Sequence, residues 1–166
     1  MYIYNRATFF DLASFMLNTG EAKKRPYVLL MIDLDRFKLV NDTYGHSCGD
    51  AVLQTIALMV KGHFRMYGIT GRYGGEEIVV LLEEVSAGQA FPLVEGLRGD
   101  IEKTVISYHD KEIRITVSIG MADSPAGTVH SLEEMLTQAD SALYQAKNSG
   151  RNRICLYRKE ETGQQE

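Results

Sequence analysis

The run Tyr27-Val28-Leu29-Leu30-Met31-Ile32, introduced by Pro26 and closed by Asp33, constrains the fold more than any other stretch of the chain. Consecutive apolar residues without alternation predict a strand covered on both faces, hence the middle of a layered sheet. Asp33 then stands at the C-terminal end of that strand, where a carboxylate is costly unless a cation or hydrogen-bond donors compensate it. The 166 residues suffice for one domain burying roughly two-thirds of its unfolded surface.

Around this strand the patterning alternates between helical and extended periods. Phe9, Leu12, Ala13 and Met16 recur at helical spacing between Arg6 and Asn18, with Gly20 as a stop and Glu21 to Arg25 as a charged linker. The polar stretch Asn41 to Gly49 reads as a break before a helix carrying Val52, Leu53, Ile56, Ala57, Met59 and Val60, with Asp50 near its start. Ile69 to Tyr73 and Glu76 to Leu82 flank Gly74-Gly75, which predicts a tight hairpin with both glycines at positive φ. A weaker helical stretch spans Ser86 to Lys103, and Val105 to His109 with Ile113 to Ile119 predict a second hairpin turning at Asp110 and Lys111. Ser131 and Glu134 have capping-box spacing ahead of the stripe Leu132, Met135, Leu136, Ala139, Leu143 and Ala146, which ends near Gly150. Ile154 to Tyr157 predicts a last strand; residues 158–166 have no apolar face to bury and predict a disordered tail.

Charge and cysteine usage narrow the chemistry. With 18 Lys and Arg against 22 Asp and Glu, the chain lacks the broad basic face that gripping a nucleic-acid backbone requires, although local cationic pockets remain open to it. Cys48 and Cys155 have no C-x-x-C or histidine spacing and read as reduced thiols. No apolar run is long enough to cross a bilayer and the N-terminus lacks a signal layout, so a cytoplasmic protein without membrane insertion is expected.

Three clusters carry chemistry. Asp33-Leu34-Asp35 at a buried strand end suits Mg²⁺, which takes a few carboxylates and leaves waters and phosphates to complete its shell; helix capping by Asp35 and a solvated Asp33 are the alternative. Glu76 and Glu77 follow the glycine turn, and because adjacent strand residues face opposite ways, one of them can join Asp33 while the other points elsewhere. Lys147 and Arg151, four residues apart, would lie side by side near a helix end and could offset anionic charge.

Taken together, Asp33-Leu34-Asp35-Arg36-Phe37-Lys38 through Asn41-Asp42-Thr43-Tyr44-Gly45-His46, Gly49-Asp50, Arg72 to Ile78, and Ala142 to Asn152 resemble the GGDEF diguanylate cyclase family, in family order from Asn5-Arg6 to about Tyr157. The resemblance implies an α/β (α+β) palm-like nucleotide-cyclase fold over residues 1–157. Its central sheet is mainly antiparallel and flanked by helices, with a β-hairpin bearing the Gly-Gly-Glu-Glu-Ile signature. It further implies that two monomers, each holding one GTP, meet as a transient homodimer and form cyclic di-GMP and pyrophosphate. Asp33, the Leu34 carbonyl and Glu76 would bind Mg²⁺, with Mn²⁺ as a substitute, and Glu77 would be a second-metal ligand or proton acceptor. Phe37 and Lys38 would meet the triphosphate through the loop backbone, Lys38 counting among the catalytic residues; Gly74 and Gly75 would border the substrate, and Lys147 and Arg151 would reach the phosphates. Asn41 and Asp50 would read guanine, whose N1–H and N2–H₂ donors suit a carboxylate as no edge of adenine does.

The chain departs from the family pattern at three places. Ile78 replaces the usual Phe, and the family's Asp-x-Leu-Thr-Gly-Leu lead is missing, which suggests a catalytic domain separated from its sensor. The inhibitory Arg-x-x-Asp for cyclic di-GMP is reduced to Arg65-Met66-Tyr67-Gly68, so weak or absent product inhibition is expected. A degenerate domain acting as a receptor for GTP or cyclic di-GMP is the alternative to a working cyclase. A ferredoxin-like RNA binder is disfavoured by the lack of strand aromatics and of a basic surface.

Overall fold

The computed structural model describes residues 3–19, 21, 24–128 and 130–159. Helix α1 (Arg6–Asn18) is opened by Asn5, whose side chain accepts from the Thr8 N–H at 2.8 Å. Strand β1 (Tyr27–Leu34) is buried along its whole length, as its unbroken apolar character requires. There follow α2 (Phe37–Tyr44), α3 (His46–Phe64), β2 (Gly68–Arg72), β3 (Glu77–Glu83), α4 (Ala87–Lys103), β4 (Ile106–Tyr108), β5 (Lys111–Ile113), β6 (Val117–Ser124), α5 (Leu132–Asn148) and β7 (Ile154–Leu156). The main sheet has the order β2-β3-β1-β6-β7, antiparallel except for the β6–β7 pair; β4 and β5 form a separate ribbon.

Strand periodicity divides the core into two layers. Val28, Leu30, Ile32, Val80 and Leu82 pack with α3 and α4, whereas Leu29, Met31, Val79 and Leu81 pack with α1 and α5. Helix α5 lies directly on the sheet at Gly120, where a Cβ would come within 2.0 Å of the Ala139 carbonyl oxygen and 2.4 Å of the Leu143 nitrogen. Among the described residues no helix is long and apolar enough to cross a membrane.

Several expectations are corrected. The break expected over Asn41 to Gly49 shrinks to Gly45, at φ 90°: Asn41 to Tyr44 complete α2, whose buried Phe37 and Val40 stand at helical spacing, and α3 starts at His46, so Asp50 lies beyond its first turn. The glycine turn is a four-residue connection from Tyr73 to Glu76, closed by the Tyr73 and Gly74 N–H groups donating to the Glu77 carbonyl, and neither Gly74 nor Gly75 has positive φ. The second hairpin turns at His109 and Asp110, with His109 at φ 52°, and Lys111 already belongs to β5. Its expected second strand breaks at Arg114–Thr116, because Ile113 finishes the ribbon while Val117 enters the main sheet. The capping box expected at Ser131 is half formed: Ser131 Oγ accepts from the Glu134 N–H, but the Glu134 carboxylate pairs with His130. The reciprocal box occurs instead at Ser86 and Gln89. Gly20 and the tail beyond Lys159 lie outside the described residues.

Candidate active site

The β1–β3 register puts Asp33 directly opposite Glu77, so both side chains leave the same face of the sheet, toward α1 and α5. Ile78 pairs with Ile32 and is fully buried in the opposite layer, so the residue that departs from the family signature is a packing residue turned away from the carboxylates. Glu76 stands outside the strand, in the turn, and its carbonyl accepts from the Leu34 N–H at 3.4 Å. The turn is braced by Arg72, which donates to the Gly74 and Gly75 carbonyls at 3.0 and 2.8 Å. Arg6 lies over the Tyr73 ring at 4.3 Å.

Lys147 reaches across from α5 and pairs with Asp33 Oδ2 at 2.8 Å. Burial still raises the Asp33 pKa above its ordinary value, outweighing the lowering by Lys147 and by the more distant Arg151. Glu76 and Glu77 are likewise raised, first by burial and then by the Asp33 charge, with Asp140 adding to the effect at Glu77. Three carboxyls that resist ionisation together are a place where cationic charge is welcome. Among the described residues no three acidic, histidine or cysteine side chains converge into a closed metal cage. The donor set nevertheless fits Mg²⁺, an ion held by one or two carboxylates with phosphate oxygens and water making up the rest.

The remaining predicted residues lie on other elements. Phe37 opens α2 and is buried, while Lys38 is exposed beside it, and the N-terminus of α2 has no side-chain cap. Asn41 of α2 packs over Gly49 of α3: a Cβ there would lie 1.8 Å from Asn41 Oδ1. Asp50, the next residue along α3, is exposed. Arg151 is not on α5, contrary to its expected helical spacing. The helix ends at Asn148, Gly150 takes φ 115°, and the Arg151 N–H returns to the Ala146 carbonyl at 3.0 Å in a Schellman-type turn.

Arg65 caps α3 on the other side of the sheet edge and lines a cavity of about 270 Å³ with Tyr4, Lys61 and Thr70. Gly68 cannot simply become an aspartate there, since its Cβ would fall 1.8 Å from the Leu81 carbonyl oxygen. Sequence reasoning missed the second half of Asp-Leu-Asp. Asp35 does not cap α2; it accepts from Thr116 Oγ1 at 2.7 Å, Ser118 Oγ at 2.6 Å and the Asn152 N–H at 3.0 Å. Its only signal in the sequence is a second acid at a buried strand end.

Comparison with known proteins identifies the fold. The family profile described as "Diguanylate cyclase, GGDEF domain" matches residues 2–153. Diguanylate cyclase A of Treponema denticola is 41% identical over 142 residues, covering 86% of this chain and 38% of that protein. The chain spans about a third of the length of the curated relatives it matches. Among solved structures, the GGDEF domain of DgcB from Caulobacter crescentus, in complex with c-di-GMP, superposes with a TM-score of 0.86 at 29% identity, covering 93% of this chain and 91% of that one. The active GGEEF domain of a diguanylate cyclase from Vibrio cholerae gives 0.85 at 30% identity, with 95% and 99% covered.

Proposed function

The chain belongs to the diguanylate cyclase, GGDEF domain family, and from that premise we propose that it condenses two GTP molecules into cyclic di-GMP with release of pyrophosphate. The observation that carries the reading is the carboxyl cluster built on two facing strand ends, Asp33 opposite Glu77 with Glu76 in the adjoining turn, and the Lys147 ammonium paired to Asp33. A domain kept only as a receptor would not need this whole set.

Lys147 and Arg151 offset triphosphate charge, the N–H groups that open α2 at Phe37 and Lys38 orient the phosphates, and Gly74 and Gly75 leave room beside them. Asn41 and Asp50 select guanine, Asp50 accepting from N1–H and N2–H₂, so ATP would leave a carboxylate facing an edge without donors. Mg²⁺, or Mn²⁺ in its place, held by Asp33, Glu76 and the Leu34 carbonyl with Glu77 adjacent, supplies charge neutralisation at the phosphates when bound. The 3′-hydroxyl of each GTP attacks the α-phosphorus of the other, so two phosphodiester bonds form and two bonds to pyrophosphate break, and Glu77 of each subunit, whose pKa burial raises, accepts the hydroxyl proton. Positioning and charge neutralisation make up most of the catalysis in such chemistry. One subunit holds one GTP, so turnover requires a transient homodimer, whose formation a sensor or regulatory domain would control in the cytoplasm.

Substitution tests the assignment. Asp33→Ala and Glu76→Ala are expected to abolish formation of cyclic di-GMP from GTP, and near-normal product from either variant would remove the carboxyl cluster from the mechanism.

A further inference from the structure

The turn that carries Arg151 is strained and held from below. Gly150, Arg151 and Asn152 occupy left-handed conformations in succession, at φ 115°, 62° and 47°. A non-glycine residue adopts that conformation reluctantly, and two in a row persist only where surrounding bonds over-determine them. Those bonds come from two directions. The Asn152 N–H donates to buried Asp35, itself fixed by Thr116 and Ser118 of the neighbouring chain segment. The Asn152 side chain accepts from Arg98 Nη1 at 2.7 Å and donates to Glu102 Oε1 at 3.0 Å, both on α4. Arg98 is in turn gripped by Glu95 and Glu102, an arrangement that leaves its guanidinium no freedom to reach substrate.

We propose that Asp35 and Asn152 are positioning residues for Arg151: together they lock the 150–152 backbone in one conformation and so fix where the Arg151 side chain leaves the turn, on the cavity it lines with Arg36 and Arg114. The inference rests on the reading that Arg151 meets the triphosphate. Neither Asp35 nor Asn152 need touch nucleotide or metal; each acts through the loop. Without the Asp35 acceptor the strained turn relaxes toward ordinary backbone conformations, and Arg151 spends only part of its time at the phosphate subsite.

The test combines amide hydrogen exchange with calorimetric binding of a non-hydrolysable GTP analogue, on the full chain. Asp35→Ala should speed exchange at Arg151 and Asn152 at least tenfold and weaken binding severalfold, by less than the about tenfold loss in Arg151→Ala. The double variant Asp35→Ala/Arg151→Ala should bind no worse than Arg151→Ala alone, because a residue acting through Arg151 has nothing left to position. Asp35→Asn should restore the affinity, its amide oxygen serving Thr116 and Asn152 while its NH₂ donates to Ser118. Should Asp35→Ala not fold, Asn152→Gly, which tolerates the left-handed backbone but releases α4, carries the same measurements. Unchanged exchange at Arg151 and Asn152, or losses that multiply in the double variant, would overturn the proposal. Equal affinity of wild type and Arg151→Ala would instead overturn the phosphate reading beneath it.

Discussion

Gly49→Ala separates the guanine-reading role of Asn41 from ordinary helix stability. Alanine in the interior of a helix is normally favoured over glycine by about 0.5–1 kcal/mol. Gly62, on the same helix α3, has nothing within 4 Å of an added Cβ, so Gly62→Ala should show that gain in full, as a rise in Tm of about 2–4 °C per kcal/mol. At Gly49 the added methyl would lie 1.8 Å from Asn41 Oδ1 and 3.3 Å from Phe37 Cζ. The amide must retreat by about 1.5 Å to reach ordinary contact distance, enough to break any hydrogen bond it makes to a base. The helix gain and the displacement then roughly cancel in stability. Loss of one hydrogen bond of about 1 kcal/mol weakens GTP binding about fivefold and reduces discrimination against ATP. Thermal unfolding and calorimetric titration with both nucleotides check this. A Tm rise equal to that of Gly62→Ala, with GTP affinity unchanged, would refute the placement of Asn41 in base recognition.

Because the pKa values of Asp33, Glu76 and Glu77 are raised in the folded state, the native protein binds more protons than the unfolded chain. Stability in the absence of metal should therefore be greatest below the ordinary values of 3.8 and 4.5 as far as these groups go, and decline as pH rises through their raised values. Asp33→Asn should flatten that decline in urea titrations across the weakly acidic range, and an unchanged slope would count against the cluster. Gly120→Ala drives a methyl into the α5 backbone and should cost about 1–3 kcal/mol or more, visible as a lowered urea midpoint. Gly68→Asp should destabilise the β2–β3 pair before it can rebuild an inhibitory site, so cyclic di-GMP titrated into that variant should bind no more tightly than into wild type. Specific activity should fall steeply on dilution; a constant value far below the dimer dissociation constant would exclude a site shared between subunits.

What the sequence revealed and what it concealed have physical causes. A six-residue apolar run led by Pro26, rich in residues that favour strands and too short for a buried helix, reads as a covered strand, so β1 and the place of Asp33 near its end were legible directly. The side on which Asp33 emerges was not, because it depends on the register with β3 that sets Glu77 opposite it. Helix α2 was hidden by its polar exposed face, with Phe37 and Val40 as its only buried residues. Helical spacing does not relate Lys147 to Arg151: the helix stops at Asn148, and a left-handed turn returns the Arg151 N–H to the Ala146 carbonyl. Asp35 was invisible as a structural hub, since its three donors come from residues 81 or more positions away.

The most direct test of the central claim is chromatography of the nucleotides after concentrated protein has been incubated with GTP and Mg²⁺. Cyclic di-GMP and pyrophosphate are expected in a ratio of one to two, formed from GTP and not from ATP, with no product from Asp33→Ala. GTP recovered intact at protein concentrations well above the dimer dissociation constant, or the same product yield from Asp33→Ala, would contradict it.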